Sequence, residues 1–228
     1  NAINIKNKSG NILRDYDMFV FDLDDTLVKT EYLHYECWLY ILKKHVGNDF
    51  VMSFHDFISN MHSTQGFPVV VYLRDKLKLS NYQELIDEKN NHFLKIIQNP
   101  QDKLEMCDGA YKYLTMILEQ KKEFVIVTNN VKTNVDYICS MFPILKQSKK
   151  IYTRDMFVYK KPDPECYLQV LRDFPNKKMI GFEDSITGIH AMINSKLIDV
   201  VFINNNEYPY YRSIIETYPV KYICESYN

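Results

Sequence analysis

Two kinds of segment alternate along the chain: short apolar runs, and longer stretches with apolar residues three or four positions apart. Short runs rich in β-branched and aromatic residues, bounded by polar residues, are typical of buried strands. Such runs predict strands at residues 18–21, 124–127, 150–152, 178–182 and 199–203. Helical spacing predicts helices at residues 110–120, 131–141, 165–174, 186–195 and 208–218. Strands separated by helices indicate a parallel sheet with right-handed crossovers.

A purely helical stretch interrupts this alternation after the first strand. Helical spacing recurs at residues 31–47, 54–61, 69–77 and 82–97. Gly47 and the pair Asn99-Pro100 suit helix ends. Because no strand pattern occurs in this stretch, it indicates a separate helical cap inserted into the sheet domain.

The predicted fold class is therefore α/β, with a three-layer, Rossmann-like parallel sheet core and an inserted α-helical cap domain. The core would comprise residues 1–28 and 104–228, and the cap residues 29–103, with hinges near residues 28–31 and 103–108. The polar residues 1–16 are predicted to form a loose arm or a short edge hairpin.

Composition excludes several classes of protein. The chain has 228 residues, 46% hydrophobic and 25% charged, which is ordinary for a soluble globular protein. Its net charge of −1 argues against a nucleic-acid polymer or an anionic membrane as partner. Five scattered cysteines without a CxxC pair indicate reduced thiols. No apolar run is long enough for a membrane span or for the apolar part of a signal peptide, so we expect a cytoplasmic protein. We also expect a monomer or a weak dimer.

Polar residues whose side chains can take part in catalysis or binding lie at the ends of the predicted elements. They are Asp22 and Asp24 after the first strand, Thr128 after the second, Lys161 before a helix, and Glu183 and Asp184 after a later strand. These groups can converge, because the carboxyl ends of parallel strands lie at one edge of a sheet. Crowded carboxylates need a cation, and Mg²⁺ prefers such oxygen ligands. Taken alone, Asp22 and Asp24 could equally cap a turn before a helix.

This set of side chains matches the needs of phosphoryl transfer. A carboxylate can attack phosphorus and form an aspartyl-phosphate, which splits one hard step into two. A second carboxylate can protonate the leaving oxygen and then deprotonate the attacking water. The Thr128 hydroxyl and backbone N–H groups can hold phosphate oxygens, and a lysine can neutralise charge. The acidic pair Glu183-Asp184 would complete an oxygen-ligand site for Mg²⁺.

Four motifs make the sequence resemble the haloacid dehalogenase (HAD) superfamily, in particular the branch that holds β-phosphoglucomutase and related sugar-phosphate phosphatases. They are FDLDDTL at 21–27, VTNN at 127–130, KKPDPECY at 160–167 and GFEDSITGIHA at 181–191. Four motifs in the family's order are far more specific than any one alone. The helical insert resembles the four-helix, C1-type cap of that branch.

The resemblance implies a role for each motif residue. Asp22 would be the nucleophile and Asp24 the general acid/base, with Thr128 and Lys161 completing the catalytic set. The implied phosphate-binding residues are Thr128, Asn129 and Lys161. The implied Mg²⁺ ligands are Asp22, the backbone carbonyl of Asp24, Glu183 and Asp184.

Candidate substrate-binding residues lie in the cap. Thr30 and His34 fit the branch's pattern at the cap entrance, and Gly66 and Arg74 could shape a pocket for an anionic group. Two structural alternatives stay open: packing of His34 against Trp38, four residues away on the same helix face, and a surface salt bridge for Arg74.

The predicted function is Mg²⁺-dependent hydrolysis of a small phosphomonoester, such as a sugar phosphate or a nucleotide, through an aspartyl-phosphate on Asp22. The partner would be a small phosphorylated metabolite. One alternative is a β-phosphoglucomutase-type phosphotransferase acting on hexose phosphates, which residues 60–65 disfavour because they lack an arginine for a distal phosphate. Another alternative is a non-catalytic binding protein on the same fold.

Overall fold

A computed structural model describes residues 9–61, 68–99, 104–196, 198–204 and 215–227. The chain divides into two compact units, one of Asn1–Val28 with Glu105–Asn228 and the other of Lys29–Leu104. In the part of the chain that is described, no helix is both long enough and apolar enough to cross a membrane.

The first unit contains a six-stranded sheet in which all neighbouring strands are parallel. Its strands are Met18–Phe21 (β1), Glu123–Val127 (β2), Ile151–Tyr152 (β3), Met179–Glu183 (β4), Ile198–Ile203 (β5) and Tyr222–Cys224 (β6). The order is β3-β2-β1-β4-β5-β6, so β1 lies between β2 and β4. Every residue of β1 is buried, as expected for a strand covered on both faces.

Helices cover both sides of the sheet and make up the second unit. They are Ser9–Asp15 (α1), Glu31–Val46 (α2), Phe54–Asn60 (α3), Pro68–Val71 (α4), Tyr82–Ile97 (α5), Ala110–Glu119 (α6), Lys132–Met141 (α7), Glu165–Asp173 (α8) and Ile186–Ser195 (α9). A π-helical segment at Tyr72–Lys76 continues α4, and short 3-10 helices occur at Pro143–Gln147 and Arg154–Met156. The predicted fold class is confirmed: this is a Rossmann-like α/β fold with an α-helical insert.

The second unit has its own apolar core between α2 and α5. Cys37, Phe93 and Ile97 are buried there, and the partly buried side chains of Leu33, Leu94 and Ile96 pack against them. This core explains why apolar residues recur at helical spacing in the insert. The apolar faces of two helices are removed from water only when they pack against each other.

At both ends of the chain the structure differs from the sequence-based expectation. Residues 9–15 form helix α1 instead of a loose arm or hairpin, because the fully buried Ile12 and Leu13 anchor it. Strand β6 was not predicted, since it has three residues and is held by pairing of Ile203 with Cys224. Most of the predicted helix at 208–218 lies outside the described residues.

Candidate active site

The predicted site residues meet at the carboxyl edge of the sheet, where β1 is flanked by β2 and β4. Asp22 follows β1 directly, and its N–H donates to the carbonyl of Phe182 at 3.0 Å. Glu183 is the last residue of β4. Because these strands run parallel in register, the two carboxylates emerge side by side, which is the usual ligand position in such sheets.

Lys161 forms the centre of the buried part of the site. Its ammonium group donates to Asp22 Oδ1 at 2.8 Å, to Glu183 Oε1 at 2.6 Å and to the carbonyl of Val127 at 2.8 Å. These three bonds use all three donors of the ammonium group. The lysine is only 4% exposed, so the contacts lie in a weakly screened environment.

The charges of this cluster strongly influence one another. Burial, together with the charge of Glu183, raises the pKa of Asp22 to about 7 against the opposing effect of Lys161. Burial alone would lower the pKa of Lys161, but the charges of Asp22 and Glu183 outweigh it and raise that pKa well above the usual value. Lys161 therefore offsets only in part the effect of burial and of the Glu183 charge on the pKa of Asp22.

Glu183 is fixed by groups that the sequence did not single out. The hydroxyl of Tyr167 donates to Glu183 Oε1 at 2.9 Å, and that of Ser185 donates to Oε2 at 3.3 Å. Gly188, in the first turn of α9, leaves the space that the carboxylate fills: a Cβ at this position would lie 1.9 Å from the Glu183 carboxylate carbon. Ser185 caps the start of this helix, because its Oγ accepts from the Gly188 N–H at 3.0 Å.

The acidic residues fit a Mg²⁺ ion by their chemistry and spacing. Carboxylate oxygens of Asp22, Glu183 and Asp184 all lie within 4.8 Å of one another. Mg²⁺ prefers carboxylate oxygens as its protein ligands, and this group of side chains could supply them. The hydroxyl of Thr26 lies 3.3 Å from Asp22 Oδ2 and 3.2 Å from Asp184 Oδ1, and links these two carboxylates.

Asp24 is placed separately, beside the end of β2. Its carboxylate accepts from Thr128 Oγ1 at 3.1 Å and from Asn130 Nδ2 at 3.2 Å. Asn130 also donates its N–H to Thr128 Oγ1 at 2.9 Å, and Asn134 donates to its side-chain oxygen at 2.8 Å. Asn130 was missed as a site residue, although it belongs to the VTNN motif. The two aspartates of the first motif thus have different partners.

Asn129 braces the main chain of the lysine loop. Its Oδ1 accepts from the Lys161 N–H at 3.1 Å, and its Nδ2 donates to the Lys161 carbonyl at 3.5 Å. The phosphate-binding role of Asn129 stays a prediction, while its structural contact places Lys161 at the end of β2.

The predicted substrate residues of the cap have varied surroundings. Thr30 is buried, and His34 stacks on Phe93 with ring centroids 4.1 Å apart. Arg74 is exposed and forms a bidentate pair with Asp75, at 2.6 and 2.9 Å. Gly66 lies outside the described residues.

A buried lysine in the cap was not predicted. Lys89 is 7% exposed and its ammonium group lies 2.7 Å from His34 Nδ1. It also lies over the rings of Trp38 and Phe93, at 5.9 and 5.3 Å from their centroids. A buried lysine is rare and can therefore indicate a functional residue. It was missed because the helical spacing of α5 did not show that Lys89 would lie on the buried side of the helix.

Comparison with known proteins identifies the family. The family model described as haloacid dehalogenase-like hydrolase matches residues 19–202, so the chain belongs to this family of hydrolases. The predicted superfamily is confirmed, and the protein is an enzyme. None of the curated protein sequences compared with the chain matches it.

Several solved structures share the fold. A HAD hydrolase of family IA, variant 3, from Entamoeba histolytica is 20% identical, with a TM-score of 0.75 over 93% of this chain and 94% of that one. CbbY from Rhodobacter sphaeroides, in complex with phosphate, is 18% identical, with a TM-score of 0.71 over 93% and 95%. A putative β-phosphoglucomutase from Thermotoga maritima is 19% identical, with a TM-score of 0.65 over 92% and 95%. At these identities the likeness establishes the fold and not a shared substrate.

Proposed function

We propose that the protein is a Mg²⁺-dependent phosphatase that hydrolyses a small phosphomonoester through an aspartyl-phosphate on Asp22. The observation that carries this proposal is that two aspartates, two residues apart in the sequence, contact different groups. Asp22 contacts the buried Lys161, whereas Asp24 contacts Thr128 and Asn130. A nucleophile beside a cation, and a proton carrier that accepts from a hydroxyl and an amide, are the two carboxylates that this chemistry requires.

In the first step, an oxygen of Asp22 attacks phosphorus while the bond from phosphorus to the ester oxygen breaks. Asp24, protonated at this point, donates its proton to the leaving oxygen. Lys161 offsets the negative charge on Asp22 and on the phosphoryl group as they approach each other. The hydroxyl of Thr128 is placed to orient Asp24, since it donates to Asp24 Oδ2 at 3.1 Å.

In the second step, water attacks the phosphorus of the aspartyl-phosphate. Asp24 accepts a proton from this water, the phosphorus–oxygen bond to Asp22 breaks, and inorganic phosphate leaves. Mg²⁺, when bound by Asp22, Glu183 and Asp184, would supply positive charge that stabilises the phosphoryl oxygens. Glu183 and Asp184 are thus assigned to metal binding, and the backbone carbonyl of Asp24 is proposed as a further ligand.

The substrate is proposed to be a small phosphorylated metabolite. Phosphate is bound in the CbbY structure, and another structure of that protein contains xylulose-1,5-bisphosphate. These ligands support a phosphate ester for the present chain as well. The cap candidates Thr30, His34, Gly66 and Arg74 stay predictions, as do the cytoplasmic location and the monomeric or weakly dimeric state.

The decisive experiment is a panel of sugar phosphates, nucleotides and phosphoglycolate, assayed for phosphate release with Mg²⁺ and with EDTA. The variant Asp22→Asn keeps the shape of the side chain but removes the nucleophile, so we expect a loss of at least about a thousandfold in kcat. Asp17→Asn is the matched control, because Asp17 precedes the same strand at its opposite end and accepts from the Lys178 N–H.

Phosphate release by Asp22→Asn at the wild-type rate would refute the mechanism. No turnover of any ester in the presence of Mg²⁺ would favour a non-catalytic binding protein. A requirement for a sugar bisphosphate in a coupled assay that detects hexose-phosphate interconversion would favour the phosphotransferase.

A further inference from the structure

Tyr227 lies beyond the residues that the family model matches, yet it contacts the loop that follows the nucleophile. Its side chain is buried, and its hydroxyl donates to the backbone carbonyl of Thr26 at 2.8 Å. The two residues are 201 positions apart in the sequence. A buried hydroxyl that donates to a buried main-chain carbonyl holds that carbonyl in one place, because breaking the bond would leave two polar groups without water.

Thr26 connects this contact to the acidic cluster. Its own side chain lies 3.3 Å from Asp22 Oδ2 and 3.2 Å from Asp184 Oδ1. The position of the Thr26 main chain therefore determines where its hydroxyl meets the two carboxylates. Tyr227 acts on one side of the threonine and the acidic residues lie on the other.

The ring of Tyr227 packs against the residues that precede the acidic side chains. Its centroid lies 6.3 Å from that of Phe21, which precedes Asp22, and 6.0 Å from that of Phe182, which precedes Glu183. Tyr227 thus supports the ends of both β1 and β4. These contacts restrict the position of the hydroxyl, since a buried ring packed against other side chains has little rotational freedom.

The main chain of Tyr227 contacts the segment through which the chain re-enters the first unit. Its N–H donates to the carbonyl of Asp108 at 3.2 Å. In this segment the N–H of Cys107 donates to the carbonyl of Leu27 at 2.9 Å, and Met106 pairs with Val28 in an antiparallel bridge. The loop after Asp22 is therefore held from two sides, by the re-entering segment and by the Tyr227 hydroxyl.

We propose that Tyr227 is a positioning residue for the Mg²⁺ site: its hydroxyl holds Thr26, and through Thr26 it keeps Asp22 and Asp184 at the separation that a shared cation needs. The inference rests on the proposed function, in which these carboxylates bind Mg²⁺. Tyr227 itself touches neither the carboxylates nor the substrate. Partners that orient metal ligands in this way typically change metal affinity or activity by about 10–100-fold when they are removed.

The test compares Tyr227→Phe with Tyr113→Phe. Tyr113 belongs to the same aromatic cluster, with its ring 5.4 Å from that of Tyr227, and its buried hydroxyl has no hydrogen-bond partner among the residues that the structure describes. Both substitutions remove one buried hydroxyl and keep the ring, so only the bond to Thr26 distinguishes them. Far-UV circular dichroism and thermal unfolding without Mg²⁺ check that both variants fold.

Mg²⁺ affinity is measured by calorimetry on the substrate-free protein, and kcat and KM are measured with the best ester of the panel. For Tyr227→Phe we expect about tenfold weaker Mg²⁺ binding and a lower kcat at saturating Mg²⁺, with KM changed less than about twofold. Tyr113→Phe is expected to keep the wild-type values.

Equal Mg²⁺ affinity and equal kcat in the two variants would overturn the inference and leave the proposed function intact. Weaker Mg²⁺ binding by Tyr227→Phe in a protein that hydrolyses no ester would have the opposite meaning: Tyr227 positions the cation site, and the proposed function is wrong.

Discussion

Replacing Lys161 by methionine tests how the buried charges of the site are balanced. The substitution keeps much of the side-chain volume but removes the only cation that contacts Asp22 and Glu183 among the described bonds, at 2.8 and 2.6 Å. Breaking a buried ion pair by removing one partner costs about 3–5 kcal/mol, because the remaining charge is left without compensation. Here two carboxylates lose their partner, so we expect a value in the upper half of that range.

The free energy of unfolding would be measured by urea denaturation at pH 7.5 without Mg²⁺, together with the melting temperature. For a chain of this length the expected loss corresponds to a decrease in Tm of about 8–20 °C. Lys132→Met is the matched control, because Lys132 pairs with Asp136 on an exposed helix face and should contribute less than about 0.5 kcal/mol. A loss below about 1 kcal/mol for Lys161→Met would refute the reasoning.

The pH dependence of the Lys161→Met effect has a definite sign. In the wild type the pKa of Asp22 is raised from 3.8 to about 7, and loss of the neighbouring cation raises it further. Above pH 7 the folded variant therefore retains a proton that the folded wild type and both unfolded chains have lost. Since stability falls with rising pH wherever the folded state binds more protons, the deficit of the variant should be larger at pH 8.5 than at pH 6.5. An equal deficit at both values would contradict this.

Two further predictions concern packing and a surface ion pair. Gly188→Ala should lower the free energy of unfolding, measured by urea denaturation, by about 1–3 kcal/mol and should reduce phosphate release. The added Cβ would lie 1.9 Å from the Glu183 carboxylate carbon. Wild-type stability and activity of this variant would show that the carboxylate has room to move. Asp173→Asn should cost about 0.5–1 kcal/mol at pH 7. Hydrogen bonds from the side chains of Lys150 and Tyr152 lower the pKa of Asp173 from 3.8 to about 2. A carboxyl group with a lowered folded-state pKa stabilises fully above its unfolded value, so the difference should shrink as pH falls from 3.8 towards 2; a constant difference would contradict the assignment.

The central sheet could be predicted because burial on both faces leaves an unmistakable pattern. Strand β1 is predicted and observed at the same residues, Met18–Phe21, since a continuous apolar run of this length suits a covered parallel strand. The closeness of Asp22 and Glu183 followed from the same topology, because parallel strands present their carboxyl ends at one edge. Sequence pattern and strand direction together predicted that these two side chains lie close together, and their roles came from the family resemblance.

Contacts between distant parts of the chain were not predictable from local pattern. Asn130 reaches Asp24 across 106 positions, and Tyr227 reaches Thr26 across 201. Nothing in the spacing of either residue indicates its partner, since side-chain hydrogen bonds of this kind depend on how the layers pack. Strand β6 was missed for a related reason: its three residues have a weak local preference, and pairing with β5 stabilises them.

The contacts of Lys161 leave carboxylate oxygens of the acidic cluster to which the proposed Mg²⁺ could bind. The lysine binds Oδ1 of Asp22 and Oε1 of Glu183, and no other atom of these two side chains. The pKa of Asp22 nevertheless stays near 7, so at neutral pH the carboxylate would be ionised only in part. A nucleophile and metal ligand must be ionised, and binding of a divalent cation at the remaining oxygens would favour that form. In the proposed mechanism, metal binding and activation of the nucleophile would therefore be coupled.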